Sequence, residues 1–159
     1  MKYHNFIIHK PYGVLSQFSR ELPEHSVLSD FFDLPKDVYP VGRLDRDSEG
    51  LLLLTNDPAI NKLLLDPERG HPRSYHVQVE GIPDEEALTK LRKGVGFRVK
   101  GKSYVSRPAK VHLLEPAPTY PERNPPVRFR NHIPTSWLEL TLSEGKNRQV
   151  RRMCAAVGY

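Results

Sequence analysis

The residues between Gly42 and Gly50 bring three carboxylates and two guanidinium groups into one short segment. These side chains belong to Asp45, Asp47, Glu49, Arg43 and Arg46. A positive charge beside an aspartate stabilises the carboxylate form, so we expect the pKa values in this segment to interact and Asp45 to be ionised at neutral pH. The segment is therefore the first candidate for a reactive site.

The residues of this loop alone leave three other readings open. The run from Asp45 to Gly50 imitates the start of an EF-hand calcium loop, but its twelfth position is Asn56 instead of a bidentate glutamate. A salt-bridged structural turn explains the same charges without chemistry. A glycoside hydrolase with Asp45 and Asp47 as its carboxylate pair is disfavoured, because two aspartates so close on one loop are poorly placed to flank a substrate.

Other candidate residues lie outside this loop. Tyr75 opens an alternating segment, where it is either a core aromatic or a phenol able to stack on a base and exchange a proton. Cys154 lies on an apolar helix face, so we expect a buried side chain and not a nucleophile. None of the seven histidines has a metal-ligand spacing, and no glycine-rich phosphate loop is present. We therefore expect no metal and no soluble cofactor.

The pattern of apolar and turn-forming residues predicts an α+β fold with a mixed, mainly antiparallel sheet and flanking helices. The predicted strands are 6–8, 51–54 (buried on both faces), 75–79 and 137–142, with short strands between 95 and 115. The predicted helices are 26–32 with Ser26 as its cap, a helix opening at Pro58, 84–93 and about 147–157. The last helix has an apolar stripe of Val150, Met153, Cys154 and Val157, opposite Arg148, Arg151 and Arg152.

The net charge of +5 hides a strong polarity along the chain. Residues 1–89 hold nine Lys or Arg against 15 Asp or Glu, whereas residues 90–159 hold 15 against four. A basic half of this kind predicts binding to a polyanion, most simply the phosphate backbone of a nucleic acid, although a solvated basic surface would give the same count. Residues 116–134 add six prolines with Arg123, Arg128 and Arg130, which predicts an irregular basic insertion.

Composition excludes several classes of protein. The hydrophobic fraction of 38% is too high for a disordered chain, and no apolar run reaches the length of about 18 residues that a transmembrane helix needs. One cysteine cannot form an intrachain disulfide framework. We expect a cytoplasmic, monomeric protein with no membrane contact, forming a single domain over residues 1–159.

Several motifs together resemble the RsuA/RluB/RluE group of ribosomal RNA pseudouridine synthases. The motifs are Gly42-Arg43-Leu44-Asp45, Leu51 to Asp57, Lys10 to Val14, Arg73 to Gly81 and Glu144 to Met153. Two further segments, Arg123 to Pro126 and Ile133 to Leu138, resemble the large-subunit members of the group. The resemblance implies the pseudouridine synthase catalytic fold and the isomerisation of a uridine in ribosomal RNA, without metal or soluble cofactor.

The resemblance also implies a role for individual residues. Asp45 corresponds to the catalytic aspartate, Tyr75 to the active-site tyrosine that stacks on uracil, and Arg151 to the basic residue that pairs with the aspartate. Arg43 corresponds to a residue that fills the gap left by a flipped nucleotide. Further RNA contacts are expected from Arg148, Arg152, Arg128 and Arg130.

Two departures from the family pattern bear on this reading. Many relatives carry an S4-type RNA-binding domain before the catalytic opening, and a strand that lines the uracil pocket after the last helix. We expect this chain to lack both segments. The alternative function is therefore a non-catalytic RNA-binding or ribosome-assembly module on the same fold.

Overall fold

The computed structural model describes residues 2–159 and divides them into two compact units, the first ending at Arg69 and the second comprising Gly70–Tyr159. Each unit has its own hydrophobic core. The first unit carries eight Lys or Arg against 11 Asp or Glu, and the second carries 16 against eight. The first unit is therefore acidic and the second basic, although the sharpest change of charge lies between residues 89 and 90, inside the second unit. The single domain over 1–159 stays a prediction.

The first unit is built on a three-stranded antiparallel sheet. Its elements are β1 (Asn5–Lys10), β2 (Val14–Leu15), β3 (Ser26–Val27), a 3₁₀ turn (Leu28–Asp30), β4 (Tyr39–Pro40), β5 (Gly50–Thr55) and α1 (Pro58–Leu65). The sheet has the order β1-β5-β4, and β2 pairs with β3 in parallel. Ile8 faces Leu52 across β1 and β5, and both side chains are buried in the core of this unit.

The four leucines of strand β5 predict burial on both faces. In the structure the strand is buried on one face only. Leu52 and Leu54 are buried, whereas Leu51 is 72% exposed and Leu53 is half-buried. Alternate side chains of a strand point to opposite faces, and an antiparallel sheet needs only one covered face. The unbroken run of four leucines therefore predicted more burial than the strand has in the structure.

The helix predictions for this unit had mixed success. Helix α1 begins as expected, because the Asp57 side chain accepts a hydrogen bond from Ala59 N at 2.8 Å and Pro58 occupies the first turn. The helix predicted over residues 26–32 is wrong. Ser26 and Val27 are extended and pair with β2, which leaves only the 3₁₀ turn that follows. Long-range strand pairing overrode the local capping signal.

The second unit contains a larger antiparallel sheet packed against two helices. Its elements are β6 (Arg73–Glu80), α2 (Glu85–Lys93), β7 (Gly96–Val99), β8 (Lys102–Val105), β9 (Lys110–Leu113), β10 (Thr135–Leu142) and α3 (Gln149–Ala156). The sheet has the order β6-β10-β9, and β7 and β8 form a separate hairpin. Leu138, Leu140 and Leu142 of β10 are at most 2% exposed, as the alternation predicts. They pack in one core with Met153 and Cys154 of α3.

The α+β class and the mainly antiparallel pairing are confirmed. Residues 116–134 hold no helix or strand before β10 begins, so the irregular insertion is also confirmed. No helix in residues 2–159 is long and apolar enough to cross a membrane.

Candidate active site

Asp45 lies in the loop between β4 and β5, on a tight turn closed by Ser48 N, which donates a hydrogen bond to Asp45 O at 3.0 Å. Its side chain is half-buried, whereas Arg43 and Arg46 are exposed. The loop enters through Gly42 at φ +79°, and a Cβ there would lie 3.3 Å from Leu65 Cδ2. Glycine thus provides both the left-handed backbone and the close approach of α1 that this entry requires.

The backbone on both sides of Asp45 is bonded to residues 13–17. Gly13 N donates to Arg46 O at 2.8 Å, and Arg46 Nε donates back to Gly13 O at 3.2 Å. On the other side, Ser16 Oγ accepts a hydrogen bond from Leu44 N and donates one to Leu44 O, each at 3.0 Å. Four hydrogen bonds to its immediate neighbours therefore fix the position from which the Asp45 carboxylate projects.

Lys10 contacts the same loop from the interior of the first unit. This side chain has no exposed surface, and Nζ donates to Val14 O at 2.7 Å, Pro11 O at 2.9 Å and Arg46 O at 3.4 Å. Burial lowers the pKa of Lys10 to about 8, and the carboxylates of Glu49, Asp47 and Asp45 oppose that shift. Lys10 thus hydrogen-bonds the backbone of the loop and places a positive charge close to its carboxylates.

Tyr75 lies on β6, opposite Leu140 of β10, and it is half-buried. Its ring packs against the core cluster that also contains Met153 and Cys154 of α3. Burial raises the pKa of Cys154 to about 11, so this thiol is a packed apolar group, as predicted, and not a thiolate nucleophile. The second unit therefore places Tyr75 and the helix carrying Arg151 on one core.

The three arginines predicted at α3 occupy different environments. Arg151 is exposed, and Arg148 immediately precedes the helix with φ +52° and ψ +34°, a left-handed backbone. Arg152 Nη1 donates to Arg98 O at 2.8 Å, and Arg152 Nε donates to Asn147 O at 3.1 Å. Arg152 thereby ties α3 to β7.

Gln149 supports the loop before α3, a role that the sequence did not predict. It is 3% exposed; its Oε1 accepts a hydrogen bond from Lys146 N at 2.9 Å, and its Nε2 donates to Glu144 Oε1 at 2.7 Å. Glu144 Oε1 also accepts from Arg107 N at 2.8 Å. This network fixes the loop before α3, and no signal in the sequence identifies it, because the burial of Gln149 and its contact with Glu144 are visible only in the structure.

The remaining predicted contacts are on the surface. Arg43 Nη2 donates to Gln17 Oε1 at 3.2 Å in the first unit. Arg128 and Arg130 lie in the insertion, where Arg130 Nε is 3.0 Å from Glu80 Oε1 of β6. Among residues 2–159, no group of three or more His, Cys, Asp or Glu side chains could hold a metal ion.

Comparison with known proteins connects this geometry with a family. The sequence model described as RNA pseudouridylate synthase matches residues 4–156. A solved structure titled as a pseudouridylate synthase superposes with a TM-score of 0.75 at 26% identity, covering 99% of this chain and 58% of that one. The chain belongs to the RNA pseudouridylate synthase family, which confirms the resemblance seen in its motifs.

Within that family, the chain is similar to proteins named ribosomal large subunit pseudouridine synthase E. The one from Xanthomonas axonopodis pv. citri is 54% identical over 153 residues, which cover 96% of this chain and 78% of that protein. The one from Vibrio parahaemolyticus is 52% identical over 153 residues, covering 96% of this chain and 61% of that protein. The similarity to the large-subunit members that segments near residues 123 and 133 suggested is thus confirmed.

Proposed function

We propose that this protein converts a specific uridine of large-subunit ribosomal RNA to pseudouridine, with Asp45 as the catalytic carboxylate. The observation that carries the proposal is the fixed backbone around Asp45, held by Ser16 on one side and by Gly13 and Lys10 on the other. Holding a reacting group in one geometry contributes more to rate than most single contacts. The names of the relatives support ribosomal RNA as the substrate.

The reaction breaks the bond between N1 of uracil and C1′ of ribose and forms a bond between C5 and C1′. N1 gains a proton, and C5 loses one. Asp45 attacks C1′ or C6, or removes a sugar proton to give a glycal; all three routes need an ionised carboxylate. Tyr75 stacks on the uracil and assists loss of the C5 proton, and Arg151 is the basic partner of the aspartate that the family resemblance implies.

Structured RNA has to present the target uridine outside its stack. Unstacking costs a few kcal/mol, and backbone contacts from cationic side chains can offset that cost. The second unit, with its excess of eight positive charges, is the source of most of these contacts in our proposal. They come from Arg128, Arg130, Arg148 and Arg152, with Arg43 in the space that the flipped nucleotide leaves. A monomeric state and a cytoplasmic location stay predictions from the sequence.

Release of tritium from RNA labelled at C5 of uridine tests the reaction directly. We expect the purified protein to release tritium from ribosomal RNA, and Asp45→Asn to abolish release while RNA binding stays within about threefold of wild type. Asp47→Asn is the matched control on the same loop and should retain most of the activity.

The same assay separates the competing readings. Release of free uracil would support a hydrolase and overturn the isomerase assignment. RNA binding by the wild-type protein without any tritium release would support the non-catalytic RNA-binding or ribosome-assembly module. Full activity of Asp45→Asn would remove Asp45 from the catalytic role.

A further inference from the structure

Phe129 is the most exposed large apolar side chain of the described residues, at 83%. It lies in the insertion between Arg128 and Arg130, both of which are exposed. Burying a phenylalanine typically contributes about 1.5–3 kcal/mol to folding, and this ring contributes little of it. Its exposure leaves both faces of the ring open to a partner.

The insertion is attached to the sheet on both sides of Phe129. Before it, the Tyr120 ring lies 5.4 Å from the Trp137 ring, and its hydroxyl hydrogen-bonds His76 Nδ1 on β6. After it, Arg130 pairs with Glu80, and Gly81 N donates to Pro134 O at 2.6 Å. The ring is thus carried by a segment bonded to β6, which presents it to solvent at a defined place.

A recess of about 450 Å³ lies beside this ring. Its walls include amide, hydroxyl and imidazole groups together with the ring and a guanidinium. They come from Gln78, Thr135, Asn131, His132, Phe129 and Arg128. A nucleobase needs a flat apolar face to stack on and donors and acceptors for its edge, and its phosphate needs a cation; these walls provide all three.

Charge indicates which class of partner fits this surface. Residues 123–134 contain three arginines and one histidine but no aspartate or glutamate. The one carboxylate at the recess, Glu80, is already paired with Arg130. A polyanion with flat bases matches this composition better than an apolar protein surface.

We propose that Phe129 is a stacking platform for an unpaired nucleotide of single-stranded RNA, with Arg128 on the neighbouring phosphate. The proposal rests on the RNA-modifying function above and adds a specific contact to it. This contact recognises an unpaired base, because a base inside a duplex has no free face for the ring.

Anisotropy titrations with a labelled RNA strand, alone and annealed to its complement, test the contact in the chain of 159 residues. We expect Phe129→Ala to weaken single-strand binding about 5- to 100-fold and to change duplex binding less than about twofold. Phe129→Trp should bind within about twofold of wild type. Phe129→Leu should bind like the alanine variant, because leucine keeps the apolar surface but has no flat face.

Salt dependence separates stacking from charge. The slope of log Kd against log salt should be unchanged in Phe129→Ala and smaller by about 0.7 in Arg128→Gln. Phe31→Ala removes an exposed phenylalanine of the acidic first unit and is the matched control, with binding expected within about twofold of wild type.

The proposal fails if Phe129→Ala binds single strands normally, as an apolar protein-docking patch would allow, or if Phe129→Leu retains wild-type affinity, because then a flat ring is not required. If the variant still releases tritium from ribosomal RNA, either result rejects only the stacking contact and leaves the isomerase function in place. If the wild-type protein releases no tritium but Phe129→Ala still weakens single-strand binding as expected, the isomerase function is rejected and the stacking contact is kept.

Discussion

Ser16 Oγ forms two hydrogen bonds with one residue, accepting from Leu44 N and donating to Leu44 O, each at 3.0 Å. Ser16 is 5% exposed and lies 28 positions from Leu44 in the sequence. Since Leu44 directly precedes Asp45, one buried hydroxyl aligns the backbone that carries the proposed catalytic carboxylate. This relationship leads to the first prediction.

Ser16→Ala should lower the rate of tritium release by more than its effect on stability explains. Loss of both hydrogen bonds should reduce the free energy of unfolding by about 1–3 kcal/mol and loosen the position of Asp45. Urea unfolding and the tritium assay, both at a temperature where the variant is folded, measure the two effects. Ser29→Ala removes a hydroxyl that donates to Phe18 O on the surface and should leave the rate unchanged. A normal rate for Ser16→Ala would contradict the prediction.

Lys10 should make stability depend on pH above neutrality. Unfolded Lys10 keeps its proton up to a pKa near 10.5, whereas folded Lys10 releases it near pH 8. Between these values the unfolded state binds more protons, so the contribution of Lys10 to the free energy of unfolding rises with pH, by up to about 3 kcal/mol. Below pH 8 both states are protonated, and the contribution is constant.

The difference in free energy of unfolding between wild type and Lys10→Met measures this effect, because the contributions of the titrating groups that both proteins share cancel in the difference. We expect the difference to move in favour of wild type between pH 8 and pH 10.5. Lys2→Met, at an exposed lysine, is the control and should show no such trend. A pH-independent difference for Lys10→Met would show that its pKa is not lowered.

Gln149→Glu should produce a protein that is weakened at neutral pH and recovers in acid. The new carboxylate would face Glu144 Oε1, which now accepts a hydrogen bond from Gln149 Nε2 at 2.7 Å. Two carboxylates so close cannot both ionise without a large cost, so one retains a proton with a raised pKa. Thermal unfolding from pH 5 to 8 tests this. Gln17→Glu, beside Glu21 in an exposed pair, should change little with pH; a parallel trend in both variants would refute the prediction.

Replacing Arg128 and Arg130 together by glutamine should weaken RNA binding and reduce its salt dependence. Loss of the Arg128 contact lowers the slope of log Kd against log salt by about 0.7 for a single strand, and Arg130, which also pairs with Glu80, adds up to about 0.7 more. The measurement is a binding titration at several salt concentrations. Arg69→Gln removes an exposed arginine from the acidic first unit and provides the comparison. An unchanged slope in the double variant would remove the insertion from the RNA interface.

Local signals predicted most of the elements. The Asp57 cap with Pro58 gave the start of α1, and the alternation of Leu138, Leu140 and Leu142 gave β10 and its buried face. These features depend on neighbours within a few residues, which the sequence displays directly. The helix expected at Ser26 was wrong because the residues that decide its conformation, Val14 and Leu15, are distant in the chain.

The supports of the candidate site escaped prediction for the same reason. Ser16 is an ordinary polar residue until Leu44 lies beside it, and Lys10 would be expected at the surface. Two of its acceptors, Pro11 O and Val14 O, are local, whereas the third, Arg46 O, lies 36 positions away. Motif resemblance identified Asp45 itself, whereas the residues that hold its loop become evident only once long-range contacts are known.

The backbone conformation of Arg148 and its positive charge have opposite effects on this protein. Its left-handed backbone costs about 1–2 kcal/mol for a residue with a Cβ, and glycine would avoid that cost. The chain nevertheless carries a guanidinium at this point, next to α3. Laboratory evolution selecting for heat resistance alone would therefore favour glycine here and remove a positive charge from the basic unit. At position 148 thermostabilisation is thus set against RNA affinity, and the same holds for Lys100, where φ is +48° and glycine would also remove a positive charge from the basic unit.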